Sequence, residues 1–193
     1  NSVTFPYNTY NYNFTYLPYI VYDDASLDAV IIDPGSNFND IYSFIDRNKL
    51  KVQAILLTHG HFDHIMSCRK LQDLGHKIYI SKEDSIMCDN TELNSAKANN
   101  IDFSIFTPDY LLTNENELSF GIINVKIIKT PGHSMGGLSY IIENNLFSGD
   151  TLFYKGYGRT DLYGGNFREI LVSIKTLLQY VKNGYNLYSG HDY

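Results

Sequence analysis

The sequence predicts a fold of α/β (α+β) class, because apolar residues recur at strand spacing in some segments and at helical spacing in others. Short apolar runs typical of buried strands occupy 29–32, 52–57 and 138–142. The helical repeat is clearest from 167 to 182, with Gly184 beyond its end. The 193 residues fit one medium domain or two small ones and can bury a full core.

Each element follows from its own local pattern. The predicted strands, in chain order, are 10–16, 19–22, 29–32, 52–57, 77–80, 118, 125–128, 138–142, 146–147 and 186–189. Turn residues between 22 and 29 predict an opening hairpin, and those at 143–145 predict another. The predicted helices are 37–50, 63–74, a start at 81–84 capped by Ser81, and 167–182. The polar stretch 89–100 has little periodicity and is predicted to be a variable surface segment.

Composition and charge exclude several classes of protein. Hydrophobic residues at 44% and charged residues at 19% are typical of a globular protein, and no apolar run approaches the roughly 20 residues needed to cross a bilayer, which predicts a soluble chain without a membrane partner. A net charge of −6 without a basic cluster argues against nucleic acid. Cys68 and Cys88 lack a C-x-x-C pattern, which suits a reducing compartment. We expect the cytoplasm, with an organelle as the alternative, and the sequence does not predict the oligomeric state.

The segment 58–64 is the strongest functional signal. It places His59, His61, Asp63 and His64 within six positions, directly after an apolar strand. Imidazole and carboxylate groups are common ligands of divalent metals, and a buried strand that ends in a turn can direct several of them to one point. The segment therefore predicts a metal site rather than a His-rich surface loop.

Three more polar residues lie where a strand gives way to a Gly-containing turn. His133 stands in Thr-Pro-Gly-His, Asp150 in Ser-Gly-Asp, and His191 in Ser-Gly-His. Ligands at successive strand ends, on rigid elements, are what a buried metal cluster requires. We therefore expect them to join the first four.

The motifs T-H-x-H-x-D-H, T-P-G-H, G-D and G-H, in this order, resemble the metallo-β-lactamase superfamily over essentially the whole chain. The resemblance implies a four-layer αβ/βα sandwich with a site for two divalent metal ions at the edge of two facing sheets. Zinc is the first choice, with iron or manganese as alternatives. The first metal would take His59, His61 and His133, the second would take Asp63, His64 and His191, and Asp150 would bridge them. Asp63, His64 and Asp150 are also the implied catalytic residues.

The segment 155–165, with its Gly-Arg-Thr-Asp motif, resembles the glyoxalase II-like (hydroxyacylglutathione hydrolase) branch. In that branch a basic residue at the position of Arg159 and the Tyr of a G-H-x-Y ending, here Tyr193, contact glutathione. The resemblance implies one domain over 1–193 without the C-terminal helical domain of classical glyoxalase II. Asp161 stands where classical members have an aromatic residue, and we expect it to pair locally with the backbone of a turn.

The implied reaction is hydrolysis of a small-molecule thioester, with S-D-lactoylglutathione or a related 2-hydroxyacyl glutathione thioester as substrate. A thiolate leaves readily, so the site needs no positioned acid of the kind that an amide would demand. The main alternative is a persulfide dioxygenase with one Fe(II) on two His and one Asp. A non-catalytic module would be expected to lose ligands, and all seven are present.

Overall fold

The computed structural model describes residues 2–4 and 18–192, which form eleven strands and four α-helices. The strand predicted over 10–16 and the residue Tyr193 lie outside the described residues. Most other predicted elements are found within a residue or two of their expected bounds, including the last helix, Phe167–Lys182.

The first sheet has six strands in chain order, β1 (Ser2–Thr4), β2 (Tyr19–Tyr22), β3 (Asp28–Ile32), β4 (Lys51–Leu56), β5 (Ile78–Ser81) and β6 (Tyr110–Leu112). Strands β1, β2 and β3 pair antiparallel, and β3 to β6 pair parallel. The predicted hairpin is thus confirmed for β2 and β3. The parallel strands need crossovers, which α1 (Phe38–Arg47) provides between β3 and β4.

The second sheet has five strands in the order β11-β10-β9-β8-β7. They are β7 (Glu117–Phe120), β8 (Ile123–Lys129), β9 (Leu138–Ile142), β10 (Asn145–Gly149) and β11 (Asn186–Ser189). Neighbours from β7 to β10 are antiparallel, whereas β11 pairs parallel with β10 after the crossover by α4 (Phe167–Lys182). This parallel pairing brings the residues after β10 and β11 to the same end of the sheet.

Three apolar clusters separate four layers, which confirms the predicted αβ/βα sandwich. The central cluster lies between the sheets, where Val30 and Leu56 of the first pack with Tyr140 and Phe147 of the second. A second cluster packs α1 and the segment after β4 on the outer face of the first sheet, and it contains the two buried cysteines. A third packs α4 on the second sheet through Leu177.

Two predictions on the segments after β4 and β5 need correction. The helix expected over 63–74 is divided into α2 (Phe62–Ile65) and α3 (Cys68–Asp73), with Gly75 ending the second at a φ of 95° as expected. The helix expected at Ser81 is instead a turn followed by a 3-10 turn, Ser85–Cys88. Ser81 does accept from the Asp84 N–H, at 3.3 Å, but this bond caps a turn because the chain does not continue into an α-helix.

The segment 89–100, expected to be a variable surface stretch, is partly buried. Asn94 is fully buried, and its carbonyl accepts from the N–H of Phe62 in the motif segment at 3.0 Å. The side-chain amide of Asn94 donates to the Met87 carbonyl, and this bond holds the segment together. The prediction failed because the sequence does not distinguish a polar side chain that forms hydrogen bonds within its own loop from one that faces water.

Candidate metal centre

All seven predicted ligands meet at one edge of the sandwich. The segment after β4 supplies the four motif residues and the turn after β8 supplies His133. Asp150 directly follows β10, and His191 is the second residue after β11. Six of the seven are buried and Asp63 is half-buried. The structure therefore brings together all seven residues, and their role as ligands stays a prediction.

Three imidazoles form the first cluster, His59, His61 and His133, with one nitrogen of each within 4.8 Å of the others. The Nδ1 of His61 lies 2.9 Å from the Nε2 of His133. The Nε2 atoms of His59 and His61 are buried without a hydrogen-bond partner among the described residues. Buried polar atoms normally have a partner, so these nitrogens fit a site that binds a cation.

The second cluster combines a carboxylate with two imidazoles, in Asp63, His64 and His191. The Nε2 of His191 lies 3.4 Å from Oδ2 of Asp63 and 3.4 Å from Nε2 of His64. This set of two nitrogens and one oxygen suits zinc, iron or manganese.

The carboxylate of Asp150 lies between the clusters. Its Oδ1 is 3.3 Å from Nε2 of His64, while its Oδ2 is 3.2 Å from Nε2 of His191 and 3.4 Å from Nε2 of His133. Asp150 thus contacts ligands of both clusters, which is the placement that a bridging carboxylate needs.

Asp33 is a functional residue that the sequence reasoning missed. It follows β3, and its Oδ2 accepts from Nδ1 of His64 at 3.0 Å and from the Thr58 hydroxyl at 2.5 Å. The Thr58 hydroxyl in turn accepts from Nδ1 of His59 at 3.0 Å. One carboxylate therefore directs the Nε2 atoms of two ligands, one in each cluster, toward the site. Its position directly after a strand was the available signal.

The Gly-Arg-Thr-Asp segment also supports a ligand. The carbonyl oxygen of Arg159 accepts from Nδ1 of His133 at 2.7 Å, which leaves Nε2 of His133 facing the cluster. The N–H of Gly158 donates to the Asp150 carbonyl at 3.0 Å. A Cβ at Gly158 would lie 2.0 Å from that carbonyl oxygen and 2.7 Å from Nδ1 of His133, so only glycine fits here. The backbone of this segment thus contributes to the metal centre.

The side chain of Arg159 is exposed and forms a bidentate pair with Asp161, at 2.6 Å for each bond. This pair lowers the pKa of Asp161 to about 2. Asp161 also bonds its own backbone N–H, so the expected backbone pairing accounts for only part of its role. Any anionic group that binds Arg159 would have to share it with Asp161.

Burial and mutual charge give the cluster an uneven proton distribution. Burial, reinforced by His133, lowers the pKa of His61 to about 3, and burial holds the pKa of His59 well below its usual range. Burial alone would also lower the pKa of His191, but Asp150 and Asp63 raise it to about 9. Since a metal requires deprotonated imidazoles, binding at the second cluster would release a proton.

An open cleft of about 610 Å³ is lined by five of the seven residues, namely His61, Asp63, His133, Asp150 and His191. Apolar side chains form much of its wall, with Ser95, Asn99 and Arg159 as the polar members. The apolar wall residues are Phe62, Ala98, Phe153, Tyr157 and Leu162. The cleft therefore has room for a substrate larger than its reacting group, directly above the ligands.

A family model of the metallo-beta-lactamase superfamily matches residues 19–191. The chain belongs to this superfamily. The probable metallo-hydrolase YqgX of Bacillus subtilis is 34% identical, over 90% of this chain and 82% of that protein. The hydroxyacylglutathione hydrolase GloC of Haemophilus influenzae is 31% identical, over 89% and 83%. Among solved structures, the BLEG-1 B3 metallo-beta-lactamase superposes with a TM-score of 0.90 at 32% identity, over 100% of this chain and 92% of that chain.

Membership in the superfamily implies divalent metals, and the donor groups fit them. The fold and the glyoxalase II-like resemblance are confirmed by these comparisons. The contact of Tyr193 with substrate stays a prediction, since that residue lies outside the described part. Within the described residues, no helix is both long and apolar enough to span a membrane. The compartment and the single-domain assignment also stay predictions.

Proposed function

We propose that this chain is a two-zinc hydrolase of 2-hydroxyacyl glutathione thioesters, with S-D-lactoylglutathione as the foremost substrate and glutathione and the hydroxy acid as products. The proposal rests on the seven-residue cluster, in which Asp150 contacts residues of both the first and the second cluster at the base of an open cleft. The similarity to GloC over 89% of the chain supports the thioester class.

The chemistry needs no side-chain nucleophile. The two clusters would hold divalent cations, which would supply a water of lowered pKa and a positive charge for the carbonyl oxygen of the substrate. The protein residues fix the orientation of the ligands, through Asp33 for His59 and His64 and through the Arg159 carbonyl for His133. A thiol has a pKa near ~8.5, so the thiolate can leave with little protonation. The proposed site therefore requires only metals, orientation and a cleft.

Arg159 is the proposed contact for a carboxylate of the glutathione moiety. It lies in the wall of the cleft, and its paired partner Asp161 would keep the guanidinium in a fixed position. Asp161 also reduces the charge available to an anion. We therefore expect the contribution of Arg159 to binding to be modest.

The direct test follows thioester absorbance and free thiol with zinc-loaded protein, with β-lactam and lactone substrates in parallel. Cleavage of S-D-lactoylglutathione in preference to the others is the expected result. The similarity to BLEG-1 makes β-lactams the necessary comparison. If only β-lactams or lactones react, the thioester proposal is wrong, while the family assignment is unaffected.

A pair of variants tests the carrier. Arg159→Ala should raise KM about threefold to tenfold with little change in kcat, because it removes the side chain but keeps the carbonyl that orients His133. Lys155→Ala is the matched control, since Lys155 is an exposed cation on the same segment and does not line the cleft. Equal effects of the two variants would contradict a specific role for Arg159.

The alternative is a persulfide dioxygenase that uses a single iron. Asp63, His64 and His191 form a set of two imidazoles and one carboxylate, which is the donor set that such an iron requires. Iron-loaded protein that consumes oxygen with a persulfide, together with zinc-loaded protein that cleaves no thioester, would replace the hydrolase proposal with this one.

A further inference from the structure

Asp84 is a buried carboxylate outside the predicted ligand set, and it contacts both loops that carry the first cluster. It is 1% exposed and follows β5. Its Oδ2 accepts from the Ser134 hydroxyl at 2.6 Å and its Oδ1 accepts from the Gly136 N–H at 2.7 Å. Gly60 packs so closely on the same residue that a Cβ there would lie 3.0 Å from the Asp84 carbonyl oxygen, and its N–H opposes the rise in the Asp84 pKa that burial causes. Gly60 lies between His59 and His61, and Ser134 follows His133.

Gly60 and the turn at 134–136 are distant in the sequence, and both lie against Asp84 beside the metal centre. A Cβ at Gly136 would lie 2.8 Å from Oδ1 of Asp84, so the loop approaches as closely as a glycine permits. A backbone N–H cannot rotate away from a poor partner, so the bond from Gly136 fixes the loop that carries His133. The arrangement fixes the relative position of the two loops.

We propose that Asp84 is a positioning residue for the first metal site, holding His59 and His61 on one side and His133 on the other in the orientation that binds the ion. None of its described hydrogen bonds reaches Asp63, His64 or His191. The second site is oriented through a different carboxylate, Asp33. The effect of Asp84 should therefore be selective for one of two metals that lie side by side.

Asp84→Asn keeps the shape of the side chain but removes one of its two acceptor oxygens. The Ser134 hydroxyl can turn to accept from the new amide, whereas the N–H groups of Gly60 and Gly136 can only donate. If the amide nitrogen faces Gly136, that loop loses its bond, and if it faces Ser134, the remaining bonds lose the negative charge that strengthens them. Loss of a residue that orients metal ligands typically lowers affinity about 10-fold to 100-fold.

The test measures zinc affinity of metal-free protein with a competing chelator, in two backgrounds that isolate the sites. In the His191→Ala background, which retains the three imidazoles of the first site, Asp84→Asn should lower affinity about 10-fold to 100-fold. In the His61→Ala background, which retains the second site, the change should be less than about threefold. Cobalt-loaded protein should show an altered visible spectrum in the first background only.

Asp109→Asn is the matched control. Asp109 also accepts three bonds, from Gln72, Lys77 and the Ile78 N–H. It directly precedes β6 and contacts the start of β5, whereas Asp84 follows the end of β5. Asp109→Asn should leave both affinities within about threefold. Ser134→Ala, which removes one bond to Asp84 and disturbs folding less, should show the same selectivity with a smaller loss.

The proposal is overturned if Asp84→Asn lowers zinc affinity equally at both sites, or does not lower it at the first. If that variant does not fold, the same criterion applies to Ser134→Ala. The thermal midpoint of the metal-free variants separates a general loss of stability from a selective loss of binding. The inference rests on the metal site of the proposed function. The test contains no substrate, so its failure is distinguishable from failure of the proposed thioester reaction.

Discussion

Replacement of Asp33 by Asn should disturb both metal sites at once, because this carboxylate determines which nitrogen of His59 and of His64 carries a proton. If the new amide oxygen keeps the bond to the Thr58 N–H, now 2.7 Å long, the amide nitrogen faces His64 and the Thr58 hydroxyl. Both would then have to accept, and the hydroxyl would donate to His59. Each imidazole would carry its proton on Nε2, the atom that faces the metal.

The opposite orientation of the amide is no better. It places an NH₂ group against the Thr58 N–H, which leaves a buried donor without a partner at a cost of about 1–3 kcal/mol. The metal-bound protein would thus have either the wrong tautomers or an unpaired Thr58 N–H, so we expect zinc affinity to fall about 10-fold to 100-fold, or about 1.4–2.8 kcal/mol. Competition with a chelator measures the affinity of the protein for zinc and for cobalt.

Asp28→Asn is the control for this prediction. Asp28 begins the strand that Asp33 follows, and its carboxylate accepts from Gln53 and from the Ile122 N–H, away from the metal centre. It should bind both metals as the unmodified chain does. The reasoning on tautomers is refuted if Asp33→Asn keeps both affinities within about threefold while its metal-free form remains folded.

Four other outcomes are expected. The Asp150→Ala variant should retain less than about one metal per chain, because Asp150 contacts both clusters, whereas His191→Ala should retain about one. Elemental analysis measures the metal content. Two firmly bound metals in Asp150→Ala would contradict the bridging role. Gly158→Ala should weaken zinc binding about tenfold in chelator competition, because its Cβ displaces the segment that orients a ligand. Tyr140→Phe should lower the free energy of unfolding by about 1–2 kcal/mol in denaturant titration, because it removes a buried 2.7 Å bond to the Leu57 carbonyl. A free metal concentration a thousandfold above Kd stabilises the folded chain by about 4.1 kcal/mol per site. Removal of the metals should therefore lower the thermal midpoint by about 8–16 °C per site, which calorimetry with and without chelator measures.

The ligand positions could be predicted because a strand that ends in a turn leaves few choices for its next side chain. Asp150 and His191 lie one and two residues after their strands, His133 lies in the turn after β8, and the apolar runs before them locate the strands. The last helix was predictable for a related reason, since its apolar period and the glycine beyond it are local signals.

The supporting residues were harder to predict, because their role depends on partners far away in the chain. Asp84 meets Ser134 across 50 positions, and a buried aspartate has the same local pattern as one that begins a helix. Asn94 likewise reads as a loop residue until its carbonyl is seen to hold the motif segment. Arg159 was assigned by its side chain, whereas its clearest bond to the centre uses its carbonyl.

The ligands divide between the two sheets. Four follow β4 in the first sheet, and the remaining three follow β8, β10 and β11 in the second. Bound metals would therefore act as crosslinks across the open edge of the sandwich, where the apolar core between the sheets gives way to the cleft. Amide hydrogen exchange should report this. With metals bound, the strand ends at this edge should exchange only through global unfolding, whereas in metal-free protein the two sheets should open separately there, with faster exchange after β4 and β10 than in the central cluster.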